Sequence, residues 1–258
     1  MFWKSHHISD DKLYYARIGA LEIWIKRYLD DWYIAYERGE HKNDVVELTT
    51  LSEEKIGLDW TRWVINARND MITFKPVMPD KPVIVRPEIS INLVPGNEGK
   101  FYINLPLWVR FEVGEREPIV LTEIPIRIHS KTWYGDTSSG ELCYSLRSMV
   151  RKKHDDLEPS PTSAVCSVTL QNKSKSELKF ERICLNVQHL AIYANEKALC
   201  TTHLYISFKG EDNVGQVSFA RSHSDFIKNC RLLTLPRKAL DRNILTQSYQ
   251  FFKHIAGF

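Results

Sequence analysis

The sequence lacks the short signatures by which many enzymes and metalloproteins can be recognised. Its five cysteines, Cys143, Cys166, Cys184, Cys200 and Cys230, are odd in number, unevenly spaced and never arranged as C-x-x-C. That excludes a regular disulfide framework and a zinc cage of the usual spacing, so the expectation is reduced thiols, no metal and no cofactor. G-x-G-x-x-G, G-x-S-x-G and H-E-x-x-H are absent too, which removes the local signs of dinucleotide binding, of an α/β-hydrolase and of a zinc protease. Two spans have glycine at both ends of six residues, Gly135 to Gly140 and Gly210 to Gly215. Neither can be a phosphate loop, because Glu141-Leu142 and Gln216-Val217 stand where lysine and a hydroxyl must meet phosphate and magnesium.

An excess of one charge is also missing. The 258 residues carry 35 basic and 32 acidic side chains, a net +3, so nucleic acid is not the expected partner. The charges are nevertheless uneven: residues 37–59 hold seven acidic and three basic side chains, and residues 221–258 hold seven basic and two acidic. Solvated surface explains both stretches. No apolar run approaches the roughly 18 residues that span a bilayer, and no transmembrane segment is expected. The opening, Met1 to Asp11, turns polar and acidic before an apolar stretch can develop, unlike a secretory leader, which predicts a cytoplasmic protein.

What remains is ordinary globular composition, 43% hydrophobic and 26% charged, with a strong two-residue period. Leu21, Ile23 and Ile25 alternate with Glu22, Trp24 and Lys26, which predicts a strand, and Asp30-Asp31 before Trp32-Tyr33-Ile34 predicts a return hairpin. Residues 52–55 are compatible with a short helical turn before a strand at 60–65. Prolines 76, 79, 82, 87, 95, 106, 118 and 125 then forbid a long helix. They leave short extended pieces at 83–85, 89–94, 101–105, 107–113 and 119–128, with Pro95 to Gly99 as a clear turn. Further strands are expected at 164–170, 178–185, 190–193, 199–208 and 214–219. From Arg237 onward, Leu240, Ile244, Phe251 and Ile255 follow a helical period with Pro236 before and Gly257 after.

The expected class is therefore mainly β, as antiparallel β-sandwich lobes closed by a C-terminal amphipathic helix. Polar, proline-bearing residues 152–161 are the best linker, which divides the chain into an N-terminal β region, 1–158, and a C-terminal β-sandwich region with its helix, 159–258. A single continuous domain is the alternative.

No catalytic residues are expected from sequence. His6-His7 would point to opposite sides of an extended chain and read as exposed terminal histidines, and the remaining histidines are scattered. The pairs Asp30-Asp31 and Asp155-Asp156 read as turns. The densest polar and aromatic stretch runs from Arg127 to Tyr144, and there a loop and a cation, hydroxyls and aromatic faces combine as at a ligand-binding edge. The candidate binding residues are Arg127, His129, Thr132, Trp133, Tyr134, Gly135, Asp136, Gly140, Glu141 and Cys143. The competing structural reading is a tight hairpin whose Trp133 and Tyr134 fill the core while Gly135 and Gly140 allow unusual backbone angles.

The same stretch carries a resemblance. Lys131-Thr132-Trp133-Tyr134-Gly135 and Gly140-Glu141-Leu142-Cys143-Tyr144 resemble the T-W-F/Y-G and G-E-L-C-Y signature of an uncharacterised prokaryotic family, domain of unknown function 432. Segments 79–87, 105–110, 181–185 and 190–193 also resemble its pattern. The resemblance implies that Trp133, Gly135, Gly140, Glu141 and Cys143 belong to a family motif, and it transfers no activity. The function expected is a non-enzymatic binding or interaction module for a protein or small-molecule partner. The alternative is an enzyme, a hydrolase or sugar-processing activity, built around Glu141, Asp136 or His129.

Overall fold

The computed structural model describes residues 2–40, 45–65, 69–135, 137–138, 140–153, 156–195, 198–210, 215–219, 227, 229–239 and 246–249. Its regular structure is strand, apart from short 3-10 turns such as Val187–His189. In chain order the strands begin with β1 (Ser5–His7), β2 (Leu13–Ile18), β3 (Leu21–Tyr28), β4 (Asp31–Arg38), β5 (Val45–Leu51), β6 (Thr61–Val64) and β7 (Met71–Val77). Next come β8 (Val83–Pro87), β9 (Ile91–Leu93), β10 (Glu98–Pro106), β11 (Trp108–Val113), β12 (Ile119–Pro125), β13 (Lys131–Tyr134), β14 (Glu141–Ser148) and β15 (Ser163–Asn172). The last are β16 (Leu178–Phe180), β17 (Ile183–Leu185), β18 (Ile192–Ala194), β19 (Leu199–Thr201), β20 (Leu204–Phe208), β21 (Gly215–Phe219), β22 (Arg231–Thr234) and β23 (Thr246–Tyr249).

These strands gather into two interleaved units. One comprises Met1–Val77, Pro106–Ile128 and Ser160–Thr162, and the other Met78–Leu105, His129–Pro159 and Ser163–Phe258. In the first, β5-β2-β3-β4-β6 and β1-β7-β11-β12 are wholly antiparallel sheets. Period-two patterning explains them: Ile18, Leu21, Ile23, Ile25 and Ile34 are buried along β2 to β4. Trp24, on the polar phase of β3, is buried as well, because the Tyr15 ring at 5.4 Å and Lys55 cover it. Phe74 and Phe111 meet edge-on at 5.0 Å in the core around β7 and β11. The buried carboxylate of Glu112 is held there by Lys75 at 2.6 Å and Arg110 at 3.6 Å, since a charge removed from water needs a partner.

In the second unit, the sheet ordered β22-β18-β19-β15-β20-β21-β23 also takes β10 beside β15. A second sheet runs β13-β14-β8-β17, and β16 pairs β9. Most pairings are antiparallel, as expected from the short turns, but β14 runs parallel to β8, and β15 runs parallel to both β19 and β20. Parallel neighbours need long crossovers and bury both faces. That agrees with the nearly uninterrupted buried run Ala164 to Val168 in β15.

The C-terminal helix is not supported. Thr246–Tyr249, in the middle of its expected span, is a strand paired antiparallel with β21. β21 otherwise ends its sheet, and Thr246 and Tyr249 are strand-forming types. Leu240, Ile244, Phe251 and Ile255, which carry the helical period, lie outside the described residues. Ser52 and Glu53 form a bend, with no helical turn over 52–55, and the strands expected at 178–185 and 199–208 are each broken, at Glu181-Arg182 and at Thr202-His203. Among the described residues no helix is long and apolar enough to cross a membrane.

Candidate functional site

The sequence candidates from Thr132 to Cys143 form one antiparallel hairpin. Thr132 pairs with Cys143, Trp133 with Leu142 and Tyr134 with Glu141. At the tip Gly135 has φ +101°, and a Cβ there would lie 3.0 Å from the Gly140 Cα, so the turn needs glycine. Asp136 lies outside the described residues, as do His41, His154, Asp155, His223 and His254. Arg127 belongs to the first unit, whereas His129 and the hairpin belong to the second. Arg127 is exposed overall, yet partial burial of its guanidinium lowers its pKa from the ordinary value.

Alternation along the strands gives the hairpin two different faces. On the outer face, Trp133 and Leu142 sit directly opposite each other and are 50% and 40% exposed. The reading in which Trp133 and Tyr134 both fill the core is thus corrected, because consecutive strand residues cannot point the same way. Tyr144, two residues beyond Leu142, ties this face down by donating its hydroxyl to Asp80 at 2.8 Å. Burial would raise the Asp80 carboxyl, but hydrogen bonds from Lys81 and Tyr144 outweigh it and hold the pKa below the usual value. Burial, then the Asp80 bond, push Tyr144 up to about 12. Among the described strands, β13 stands at the end of its sheet, paired with β14.

The inner face is where the fold assembles something new. Tyr134 packs on a buried cluster of Ile84, Cys143 and Cys184. Cys143 and Cys184, 41 residues apart in sequence, have their Sγ atoms 3.8 Å apart. A carboxylate oxygen of Glu141 and the two Sγ atoms all lie within 4.8 Å of one another. Glu141 and Cys143 share this face because they are two apart on β14, and Cys184 arrives from β17, across β8. Hydrogen bonding with Cys143, reinforced by burial, pushes the Cys184 thiol far above its ordinary value. Burial raises the Glu141 carboxyl against the opposing charge of Lys238. Sequence spacing concealed this pair; the only local hint was that each thiol sits inside an apolar strand.

Arg182 stands 6.0 Å from the centre of the Tyr134 ring. All five cysteines are free thiols, and four are buried, as their apolar settings suggested. His6 and His7 do take opposite sides, but His6 is half-buried with its ring 4.9 Å from that of Phe74, whereas His7 pairs with Asp70 at 2.9 Å. Asp30 occupies a turn, while Asp31 opens β4 and pairs with Arg62. His203 is a buried histidine that sequence reasoning left scattered: Ser167 Oγ lies 2.6 Å from its Nδ1 and Thr169 Oγ1 3.1 Å from its Nε2. Ser167 is fully buried and His203 is 2% exposed, so a serine-histidine contact that would suggest nucleophilic catalysis has no access for substrate. In the first unit, Lys26 lines an open cleft with Tyr33, but its charge is taken up by both Glu54 oxygens, at 3.1 and 2.9 Å.

A family model described as "Protein of unknown function (DUF432)" matches residues 2–253, in agreement with the resemblance of the hairpin motifs. No curated protein and no solved structure matches the chain.

Proposed function

The chain belongs to the family of proteins of unknown function DUF432, and from its own residues we propose that it is a non-enzymatic binding module of β-sandwich lobes that accepts an extended segment of a partner protein on the Trp133–Leu142 face of the β13–β14 hairpin. One observation carries this reading: Trp133 and Leu142 are directly opposed across the hairpin and both exposed. An aromatic and aliphatic pair of this kind offers the apolar anchor that most interfaces need. The bond from Tyr144 to Asp80 holds that face in place before a partner arrives, which lowers the ordering cost of binding.

The chemistry of the inner face supports binding over catalysis. A nucleophilic cysteine needs a lowered pKa, and the bond with Cys143 together with burial raises that of Cys184, the opposite of an activated thiol. The enzyme alternative would need Glu141 to work with a second acid or base, and the groups gathered with Glu141 among the described residues are the two thiols. A cytoplasmic setting belongs to the same proposal, since a reducing compartment suits a chain whose five cysteines are all free thiols.

Selection of a displayed random-peptide library on the immobilised protein tests the proposal. Enriched peptides should alternate apolar and polar residues and lose affinity by about tenfold or more on Trp133→Ser or Leu142→Ser. Both variants remove exposed side chains, so their melting temperatures should stay close to wild type. Failure to enrich any sequence, or equal binding by the variants, counts against the reading.

A further inference from the structure

We propose that Glu141, Cys143 and Cys184 form a binding site for a thiophilic divalent cation of the zinc class, on the face of the hairpin opposite Trp133 and Leu142. The site is independent of the peptide-binding face: it uses other residues, and either can fail without the other.

The argument starts from the thiol separation. A tetrahedral ion bound at about 2.3 Å to each of two thiolates sets their sulfurs about 3.8 Å apart. The Cys143 and Cys184 Sγ atoms are 3.8 Å apart. Glu141 supplies an oxygen within 4.8 Å of both, close enough for a side-chain rotation to complete a third bond. Two thiolates and one carboxylate are a donor set that suits zinc and its neighbours and disfavours magnesium or calcium, which take oxygen ligands.

A disulfide is the competing use of two adjacent thiols, and the sheet order argues against it. β8 lies between β14 and β17, so the two backbones are separated by two strand spacings, roughly 9–10 Å. A disulfide wants Cα atoms about 4.4–6.8 Å apart and could close only by displacing β8. A cation bridges the sulfurs where they already stand. Ile84 and Tyr134 wall the thiols in apolar surroundings, where attraction between cation and thiolate is weakly screened. Glu141 is exposed, so the ion has an entry side, and water there supplies the fourth bond. Binding involves no redox step: each thiol gives its proton to solvent as its sulfur bonds to the ion.

Titration of the reduced, metal-free full chain with Co²⁺, a coloured substitute for Zn²⁺, provides the test. The expected result is a near-ultraviolet thiolate-to-cobalt band that saturates at one ion per chain and is bleached by added Zn²⁺. Cys184→Ala and Cys143→Ala should abolish the band while circular dichroism retains the β signal. Glu141→Gln, an exposed change that keeps the fold, should preserve the band but weaken Co²⁺ affinity by about tenfold. Absence of the band in the folded wild type overturns the proposal, as does a band that survives loss of either cysteine, which would assign it to Cys166, Cys200 or Cys230. If the cysteine variants do not fold, Glu141→Gln decides alone: weaker binding supports the site, and unchanged affinity overturns it.

Discussion

Two hairpins of the first unit have equal loop lengths and different chemistry at one position. β2 and β3 are joined by Gly19-Ala20, β3 and β4 by Leu29-Asp30, and the first loop residue has positive φ in both, +59° and +55°. Glycine adopts that conformation at no steric cost, whereas a leucine carries a penalty of about 1 kcal/mol. Leu29 is 67% exposed, so little packing offsets the strain. Leu29→Gly should therefore raise stability by about 1 kcal/mol in chemical denaturation, less the added freedom of the unfolded chain. Gly135→Ala should do the reverse at the 131–148 hairpin, since its φ is +101° and the new Cβ would meet Gly140.

His203 gives a pH signature. Burial, helped by the charge of Lys100, depresses its pKa from 6.5 to about 4. The unfolded chain therefore takes up the proton first as pH falls. The contribution is fully present above pH 6.5, is lost progressively as pH drops toward 4, and is exhausted below that. At about 1.4 kcal/mol per pKa unit the loss reaches about 3–4 kcal/mol. His203→Gln should flatten the wild-type slope in this window in urea melts recorded at successive pH values. An identical slope in the variant would assign the titration to another group.

At the scale of elements, the hairpin was largely legible and its inner face was not. Alternating residues and glycines on both sides of a polar loop mark a hairpin in any sequence, and β13 and β14 lie where they indicated. The direction in which Trp133 points was not legible, because an aromatic residue marks a strand equally well from either face. The meeting of Cys143 with Cys184 was invisible for another reason: it depends on β14 running parallel to β8 and β17 antiparallel to it, pairings no local pattern encodes. The expected C-terminal helix shows the converse error. Its 3.6-residue period was real in the sequence, yet an available edge on β21 and the strand-forming Thr246 and Tyr249 took precedence.

β8 is the element on which the inner face depends. Val83, Ile84 and Val85 are buried, and β14 and β17 flank them. Ile84→Ala should cost about 2–4 kcal/mol, the sum of lost burial and an incompletely filled cavity. It should also expose the neighbouring thiols. A colorimetric thiol reagent applied to the native protein should then react faster at Cys143 and Cys184 than in wild type, while Cys166 keeps its wild-type rate.

At the scale of the whole molecule, the two units exchange chain several times, and this limits what can be cut from it. β8, β9 and β10 precede residue 159, yet they pair β17, β16 and β15 respectively. Residues 152–161 are polar in composition, and composition says nothing about which distant strands pair. A fragment 159–258 would lack three strand partners and leave their donors and acceptors unsatisfied. It should be unfolded by circular dichroism, whereas a cooperative melt of the fragment would show that those pairings are dispensable.

The proposal that the Trp133–Leu142 face binds a peptide has one direct measurement: NMR of the Trp133 indole and Leu142 methyl signals with and without a library-selected peptide. Both signals should shift on binding, while the amides of β8 stay unchanged. Signals left in place by a saturating peptide would contradict binding at this face.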